Sequence, residues 1–198
     1  FLWPFNKMEL SGEDVGSMVR WLGHDARIAG GNSGGPLVDM HGQVIGINEI
    51  QMGLSGAIPS SIAKQVAQQI IKTGTVRRSW LGVQVQPLLK SSGKTAGVLV
   101  SDVMKGSPAS KAGIRTGDII RKVAGKPVSV RFGEQVPLFN QMVASLPVGR
   151  PVSIQLERAG KALTVKPVTT QREPALPREK EMKAWGLTVR NISKLMAR

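Results

Sequence analysis

Apolar and polar residues alternate along residues 36–47, on both sides of the His41-Gly42 pair. A period of two residues is typical of a strand that buries one face, and two such runs joined by a short turn predict a β-hairpin. A further apolar run over residues 15–22 predicts another strand upstream. The first part of the chain is therefore expected to consist of short strands joined by loops.

Within the segment 60–72 the apolar residues recur every four positions, which predicts an amphipathic helix with one apolar stripe. The expected cap of this helix is the hydroxyl of Ser60 or Ser61, since a serine at the first turn can accept a backbone N–H. Gly74 stands where a left-handed residue would end the helix. The stretch 73–79 then forms a boundary.

A second unit follows, with its own succession of strands and helices. Ser107, Pro108 and Gly113 predict a short helix, because they supply an N-cap, a first helical residue and a terminating glycine. A longer helix is expected over Val136–Leu146, where Pro147 stops it. Alternating apolar residues predict strands over 81–85, 98–100, 152–156 and 163–165.

Composition limits the class of protein. The 198 residues are 41% hydrophobic, which is enough for a folded core and argues against disorder. No apolar run reaches the roughly 18 residues that a membrane-spanning helix needs, so no transmembrane segment is expected. The absence of cysteine excludes a thiol nucleophile, a thiolate metal site and disulfides.

Charge is divided unevenly along the chain. Residues 1–79 hold 7 Lys or Arg and 6 Asp or Glu, whereas residues 80–198 hold 20 and 7, within a net charge of +14. Such a basic half could bind nucleic acid or an anionic membrane surface. Its basic residues are scattered, few aromatic residues lie among them and no nucleic-acid motif is present, which favours a solvated basic face. No nucleic-acid partner is therefore expected, and strongly salt-dependent DNA binding would contradict this.

The stretch GGNSGGP surrounds Ser33 with glycine. It matches the G-x-S-x-G pattern of an α/β-hydrolase nucleophile, but that motif needs a strand before the serine and a helix after it. Here a glycine-rich loop precedes Ser33 and a hairpin follows. The stretch fits better an acyl-transfer site in which two backbone N–H groups face the developing oxyanion. Gly31 lets the backbone turn inward for this purpose.

The sequences GGNSGGPL, GQVIGIN and AIPS resemble the HtrA (DegP-like) family of trypsin-fold serine proteases. The resemblance implies that Ser33 is the catalytic nucleophile and that the N–H groups of Gly31 and Ser33 form the oxyanion hole. The residues assigned to these two roles and to the specificity pocket are Ser33 as nucleophile, Gly31, Asn32 and Ser33 at the oxyanion hole, and Ile47, Asn48 and Ala57 at the pocket.

A serine nucleophile needs a histidine base that an acid orients. The two histidines of the chain, His24 and His41, lie nine residues before and eight residues after Ser33. In the family both the base and the acid lie far upstream of the serine, so neither histidine fits, and both are expected at surface or turn positions. The chain departs from the family's pattern at His24, Ala29 and Gly30. We therefore predict that the chain by itself has no measurable protease activity.

The sequences RSWLGVQVQPL, GVLVSDVMKGSPASKAGIRTGDIIRKVAGKPV and VGRPVSIQLERAGKALTV of the second unit resemble a PDZ domain of the kind that follows the HtrA protease domain. Glycine within its first loop permits consecutive N–H groups to converge on a peptide C-terminus, and the strand that follows offers an edge for an added strand. The helix over 136–146 would form the other wall of the groove, where Phe139, Met142 and Val143 serve either the core or the groove. The predicted peptide-binding residues are Trp80, Leu81, Gly82 and Val83.

The expected fold is mostly β: the C-terminal half of a trypsin-like double β-barrel over 1–79, followed by a PDZ domain, a small α+β barrel, over 80–169. A Pro-rich linker is expected over 170–183 and the start of a truncated second PDZ domain over 184–198. Truncation is expected at both ends of the chain.

The resemblance implies a serine endopeptidase of protein quality control in the periplasm or cell envelope. Its partners would be unfolded polypeptides, peptide C-termini at the PDZ groove and further copies in a trimer-based homo-oligomer, with no cofactor and no metal. The alternative is a non-enzymatic PDZ peptide-binding module or a pseudoprotease.

Overall fold

The computed structural model describes residues 2–3, 9–10, 13–14, 17–52, 54–88, 93, 96–173, 179–190 and 192. Strands dominate this part of the chain, so the prediction of a mostly β fold is confirmed. The strands are β1 (Leu2–Trp3), β2 (Glu9–Leu10), β3 (Glu13–Asp14), β4 (Trp21–His24), β5 (Pro36–Val38), β6 (Val44–Met52), β7 (Leu54–Pro59), β8 (Ser79–Trp80), β9 (Val83–Gln86), β10 (Val98–Val103), β11 (Ile119–Val123), β12 (Lys126–Pro127), β13 (Ile154–Arg158), β14 (Lys161–Val165), β15 (Thr170–Gln171), β16 (Lys180–Met182) and β17 (Leu187–Val189). The α-helices are α1 (Ser60–Thr73), α2 (Pro108–Lys111) and α3 (Val136–Ala144).

The first unit is a five-stranded antiparallel sheet in the order β1-β4-β7-β6-β5. The predicted hairpin is confirmed, since β5 pairs with β6 around a turn that contains Gly42 at a φ of +74°. Trp21 on β4 is 1% exposed and packs over Gly56 of β7, where an added Cβ would lie 2.9 Å from Cγ1 of Ile50. A glycine is therefore needed at position 56 to seat Trp21 and Ile50 on this face of the sheet.

Helix α1 confirms the predicted amphipathic segment and its end. Gly74 has a φ of +70° and donates its N–H to the carbonyl of Ile70 at 2.8 Å. The predicted cap at Ser60 or Ser61 is wrong, because Pro59 occupies the N-cap position and no side chain caps the helix. Ser60 is already the first helical residue, so its hydroxyl lies past the position from which a cap accepts N–H groups.

The strand predicted over residues 15–22 is displaced in the structure. It runs as β4 from Trp21 to His24, and residues 15 and 16 lie outside the described residues. Its pairing with β7 joins Leu22 to Ala57 and His24 to Ser55. Long-range pairing therefore determines its position, and the local apolar run does not.

The second unit is a sheet in the order β14-β13-β11-β10-β9, with β12 paired to β11. Helices α2 and α3 contribute to its hydrophobic core. Strands β10, β11 and β13 place fully buried residues in this core, whereas β9 and β14 do not. Burying one aliphatic side chain of this kind contributes about 2 kcal/mol. Residues of this core that are at most 4% exposed include Leu81, Val98, Val100, Ile120, Val123, Phe139, Ile154 and Leu156.

The two ends of the second unit are paired side by side. Strand β8 pairs antiparallel with β15, so that Ser79 faces Gln171 and Trp80 faces Thr170. The N–H of Arg172 then donates to the carbonyl of Arg78 at 2.8 Å. This ladder includes the first residues of the segment predicted as a linker over 170–183. A separate hairpin of β16 and β17 follows between Lys180 and Val189.

Candidate functional site

Ser33 lies in the exposed loop between β4 and β5. Gly31 has a φ of +99°, a conformation that residues with a Cβ rarely adopt. The loop is held to β6 by two backbone hydrogen bonds, from the N–H of Gly34 to the carbonyl of Asn48 at 2.7 Å and from the N–H of Asn48 to the carbonyl of Gly35 at 2.9 Å. The part of the glycine-rich loop that follows Ser33 in the chain is thus fixed to the sheet.

Two of the three predicted oxyanion residues present a free donor. The N–H groups of Gly31 and Ser33 have no hydrogen-bond acceptor among the described residues, whereas the N–H of Asn32 donates to the carbonyl of Ala29 at 3.0 Å. The Ser33 hydroxyl donates to the carbonyl of Glu49 at 2.8 Å. An acyl-transfer site needs such unpaired donors next to the nucleophile, since they must face the negative oxygen of the transition state.

Neither histidine contacts the Ser33 hydroxyl, but their positions differ from each other. His41 lies in the β5–β6 turn with its side chain 84% exposed and Nδ1 3.8 Å from Oδ2 of Asp39. The expectation of a surface or turn position is wrong for His24, which lies on β4 with both ring nitrogens buried and without a hydrogen-bond partner in the described part of the chain. Pairing of His24 with Ser55 on the central strand β7 accounts for this burial.

The three residues predicted for the specificity pocket do not share one face of the sheet. Asn48 and Ala57 are direct cross-strand partners, while Ile47 pairs with Ile58 one position away. Because neighbouring side chains of a strand point to opposite faces, Ile47 faces away from Asn48. The Oδ1 atom of Asn48 is buried without a partner among the described residues, and Ala57 is fully buried.

A cavity of about 670 Å³ separates β9 from α3. All four predicted peptide-binding residues line it, as do Phe139 and Val143 of the opposite wall, which also belong to the core. Met142 packs against the core and is not among the lining residues. The lining residues are Ser17, Met18, Ser79, Trp80, Leu81, Gly82, Val83, Gln84, Val85, Gln86, Pro87, Ser101, Met104, Gly133, Val136, Phe139, Asn140, Val143, Ala144 and Arg172.

The loop at one end of this cavity contains two backbone N–H groups without a hydrogen-bond partner among the described residues. The carbonyls of Leu81 and Gly82 accept hydrogen bonds from the N–H groups of Ala109 and Met104, both at 2.9 Å. The N–H groups of Leu81 and Gly82 themselves have no acceptor among the described residues. Gly82 has a φ of +76°, and a Cβ there would lie 2.3 Å from the Cβ of Ser107. The loop therefore requires glycine and holds two adjacent donors ready for an anion.

Sequence reasoning missed the residues by which the two units touch. Asn140 donates from Nδ2 to the carbonyl of Ser17 at 2.7 Å, and Gln141 donates from Nε2 to the carbonyl of Met18 at 2.6 Å. The partners are 123 residues apart in the chain, so no local pattern could reveal them. Helix α3 thus contacts the segment that leads into β4, and Asn140 in the same helical turn also lines the cavity.

Known proteins match both units. The family model described as PDZ domain matches residues 79–167. A protein of Rhizobium meliloti named "Probable periplasmic serine endoprotease DegP-like" is 38% identical over 169 residues, which are 78% of this chain and 32% of that protein. The Salmonella typhimurium protein "Periplasmic serine endoprotease DegP" is 37% identical over 168 residues, 78% of this chain and 34% of that protein. The chain thus spans about a third of the length of these relatives.

Solved structures agree with these matches. One titled "HtrA-type protease AlgW with tripeptide" superposes with a TM-score of 0.69 at 31% identity, over 81% of this chain and 56% of that one. A serine endoprotease from Yersinia pestis superposes with a TM-score of 0.58 at 32% identity, over 78% of this chain and 53% of that one. In the part of this chain that the structure describes, no helix is long and apolar enough to cross a membrane.

Proposed function

Because this chain contains a PDZ domain and is homologous to the DegP/HtrA serine endoproteases, we propose that it supplies one half of such an enzyme's active site together with its peptide-binding domain. Residues 1–79 would contribute the nucleophile and the oxyanion donors. Residues 80–169 would capture peptide C-termini, and the linker over 170–183 would lead to a second PDZ domain that starts at residue 184.

The observation that carries the catalytic part is the arrangement at Ser33. An exposed hydroxyl stands on a glycine loop whose N–H groups at Gly31 and Ser33 are unpaired among the described residues. In acyl transfer the serine oxygen attacks the scissile carbonyl while two such donors stabilise the oxyanion. Asn48 and Ala57, on one face of the sheet behind the loop, would border the pocket for a small or medium apolar side chain of the substrate.

The base and the acid would come from residues that this chain does not contain. The Ser33 hydroxyl donates to the carbonyl of Glu49 and reaches neither histidine. Loss of the base of a serine triad lowers kcat by about 10⁶. We expect the purified chain to leave casein intact, and a chain extended upstream by the corresponding part of a DegP-like relative to cleave it. Ser33→Ala should abolish the cleavage by the extended chain. Cleavage by the 198-residue chain that Ser33→Ala removes would contradict the proposal.

The PDZ groove would bind peptides by strand addition along β9, with the terminal carboxylate at the N–H groups of Leu81 and Gly82. The Gly82→Ala variant tests this role, because the added Cβ collides with Ser107 and the φ of +76° strains alanine. We expect it to lose binding of peptides with a free C-terminus. Gly149→Ala, also at a positive φ but away from the groove lining, is the matched control and should retain binding.

By the same homology we propose a periplasmic quality-control enzyme that acts on unfolded polypeptides and assembles as a trimer-based homo-oligomer. The names of the relatives place those proteins in the periplasm. Mass measurement of the upstream-extended chain in solution tests the assembly, and a monomer would contradict it.

A second candidate function is a peptide-binding module without catalysis. One observation favours it. The peptide groove is assembled from residues of this chain, whereas the Ser33 hydroxyl is hydrogen-bonded to the carbonyl of Glu49 and not to a catalytic base. Failure of the extended chain to cleave, combined with intact peptide binding, would select this alternative.

A further inference from the structure

A second cavity, the junction cleft, lies between the two units and measures about 270 Å³. Its walls come from helix α1, the segment that leads into β4, the connection at 76–78 and the end of α3. It shares only Met18 and Ala144 with the described lining of the PDZ groove. The apolar part of its lining includes Met18, Val19, Ile58, Ile62, Val66 and Val76.

Helix α1 turns its apolar stripe towards this cleft. None of its 14 residues, all of which the structure describes, is buried. Ile62 and Val66, four residues apart on the stripe, are half-buried and line the cleft. An amphipathic helix normally packs its stripe against other elements, and side chains that border an empty space forfeit the contacts that neighbouring atoms would make. A ligand with an apolar body would supply these contacts.

The indole of Trp21 is a buried hydrogen-bond donor in the lining of the cleft. Trp21 is 1% exposed, and its Nε1 has no acceptor among the described residues. Trp21 contacts β7 through Cε3, which lies 3.5 Å from the position of a Cβ at Gly56 and across the indole from Nε1. A buried N–H without an acceptor is unfavourable, since it has lost its hydrogen bond to water. Because the indole nitrogen only donates, the partner it lacks is an acceptor such as a carboxylate oxygen.

The charge and the size of the cleft narrow the class of ligand. Arg77 and Arg78 are among its described lining residues, and Glu49 is the only acidic residue among them. Arg77 is exposed and forms no ion pair with a described residue. This excess of positive charge favours an anion. An apolar cavity of about 150 Å³ holds benzene, so about 270 Å³ accommodates about ten to twelve non-hydrogen atoms.

We propose that the junction cleft binds a medium-chain carboxylate of about ten carbons. The alkyl chain packs against Ile62 and Val66 of α1, and the carboxylate accepts the N–H of Trp21 on the positively charged side of the cleft. A hydrogen bond to a carboxylate is stronger than one to a neutral acceptor, and it satisfies the buried donor. This ligand site is separate from Ser33 and does not depend on peptide binding in the PDZ groove.

The experiment titrates decanoate into the ¹⁵N-labelled 198-residue chain and follows the indole N–H signals by NMR. The four tryptophans report separately, and Trp21→Phe identifies the signal of Trp21 by its loss while keeping an aromatic ring. Decyltrimethylammonium, which carries an alkyl chain of the same length on a cation, is the matched probe. Val66→Phe fills the cleft. Ala67→Phe adds the same ring at the next residue of α1, which is exposed and outside the described lining, and serves as the control.

We expect decanoate to shift the Trp21 signal saturably with a Kd below about 1 mM, and decyltrimethylammonium to leave that signal in place. Followed on the backbone amides of α1, Trp21→Phe should weaken binding about tenfold, the scale of a hydrogen bond to a charged group. Val66→Phe should weaken binding by more than about tenfold, whereas Ala67→Phe should match the wild type.

Three results would overturn the proposal: an unmoved Trp21 signal, an equal response to both probes, or an unchanged affinity in Val66→Phe. A shift confined to the signal of Trp80 would place decanoate in the PDZ groove. That result would also overturn the proposal, while leaving the proposed peptide binding intact.

Discussion

The ion pair between Asp118 and Arg158 joins the loop before β11 to the end of β13. The side chain of Asp118 is 1% exposed, and Arg158 donates to it from Nε and from Nη2, each at 2.7 Å. A third bond runs from Nη2 of Arg158 to the carbonyl of Gly113 at 2.6 Å. Substituting Arg158→Met keeps the apolar stem but removes all three bonds. Asp118 would then be a buried carboxylate with one remaining donor, the N–H of Arg115 at 2.8 Å.

The side chain of Arg158 is 30% exposed, so the cost of removing it lies below the roughly 3–5 kcal/mol of a fully buried pair. We expect the PDZ domain of Arg158→Met to lose about 2–3 kcal/mol of unfolding free energy, because the buried carboxylate of Asp118 loses most of its donors. Hydrogen exchange measured by mass spectrometry over β10 and β11 isolates this domain from the first unit. A loss of about 2 kcal/mol accelerates exchange by global unfolding about 30-fold.

Lys161→Met is the matched control for this substitution. Lys161 is the exposed cross-strand partner of Arg158 on β14 and forms no ion pair with a described residue, so its loss should cost less than about 0.5 kcal/mol. The double variant Asp118→Asn with Arg158→Met should recover part of the lost stability, since no buried charge remains. A loss below about 1 kcal/mol in Arg158→Met, the level of an exposed ion pair, would refute the reasoning.

The hydrogen bonds that Arg158 donates to the carboxylate of Asp118 raise the pKa of Arg158. A group whose pKa is raised by folding stabilises the protein at all pH values below its unfolded-state pKa, and this stability is lost only as pH rises through its folded-state pKa. The difference in unfolding free energy between wild type and Arg158→Met should therefore stay constant from about pH 6 to about pH 9 in urea titrations. Gly56→Ala should destabilise the first unit by about 1–3 kcal/mol through its contact with Ile50, whereas Gly30→Ala, with open space around its Cβ, should cost less than about 0.5 kcal/mol in the same thermal melts. Asn140→Ala with Gln141→Ala should accelerate exchange of residues 17–24 by about tenfold, from two lost hydrogen bonds, while Gln155→Ala should leave it unchanged.

Local patterns were sufficient for the elements whose limits are set by neighbouring residues. The β5–β6 hairpin follows from alternation around Gly42, and the end of α1 follows from the left-handed Gly74. The glycine at position 82 likewise matches the backbone there. Its φ is +76°, and the close approach of Ser107 leaves no room for a side chain. These are positions at which one residue type decides the conformation.

Features set by contacts across the chain were not predictable. The ring nitrogens of His24 are buried because β4 pairs with the central strand β7. Ile47 lies on the opposite face of the sheet from Asn48 and Ala57 because it stands one position out of phase with Asn48. Arg172 lies in a stretch whose composition indicates a linker, yet the β8–β15 ladder continues up to it. In each case the deciding partner is distant in sequence, so its effect appears only once the strands are paired.

The β8–β15 ladder also determines how the second unit responds to tension. Ser79 and Gln171 face each other in an antiparallel pair, so the chain enters and leaves the domain at the same point and in opposite directions. A pull on the two flanking segments loads the hydrogen bonds one after another, like a zipper, beginning with the bond between Arg172 and Arg78. The next residues to separate are those that lead into Leu81 and Gly82. Mechanical strain between the flanking segments would therefore open the loop at Leu81 and Gly82 before it disturbs the core.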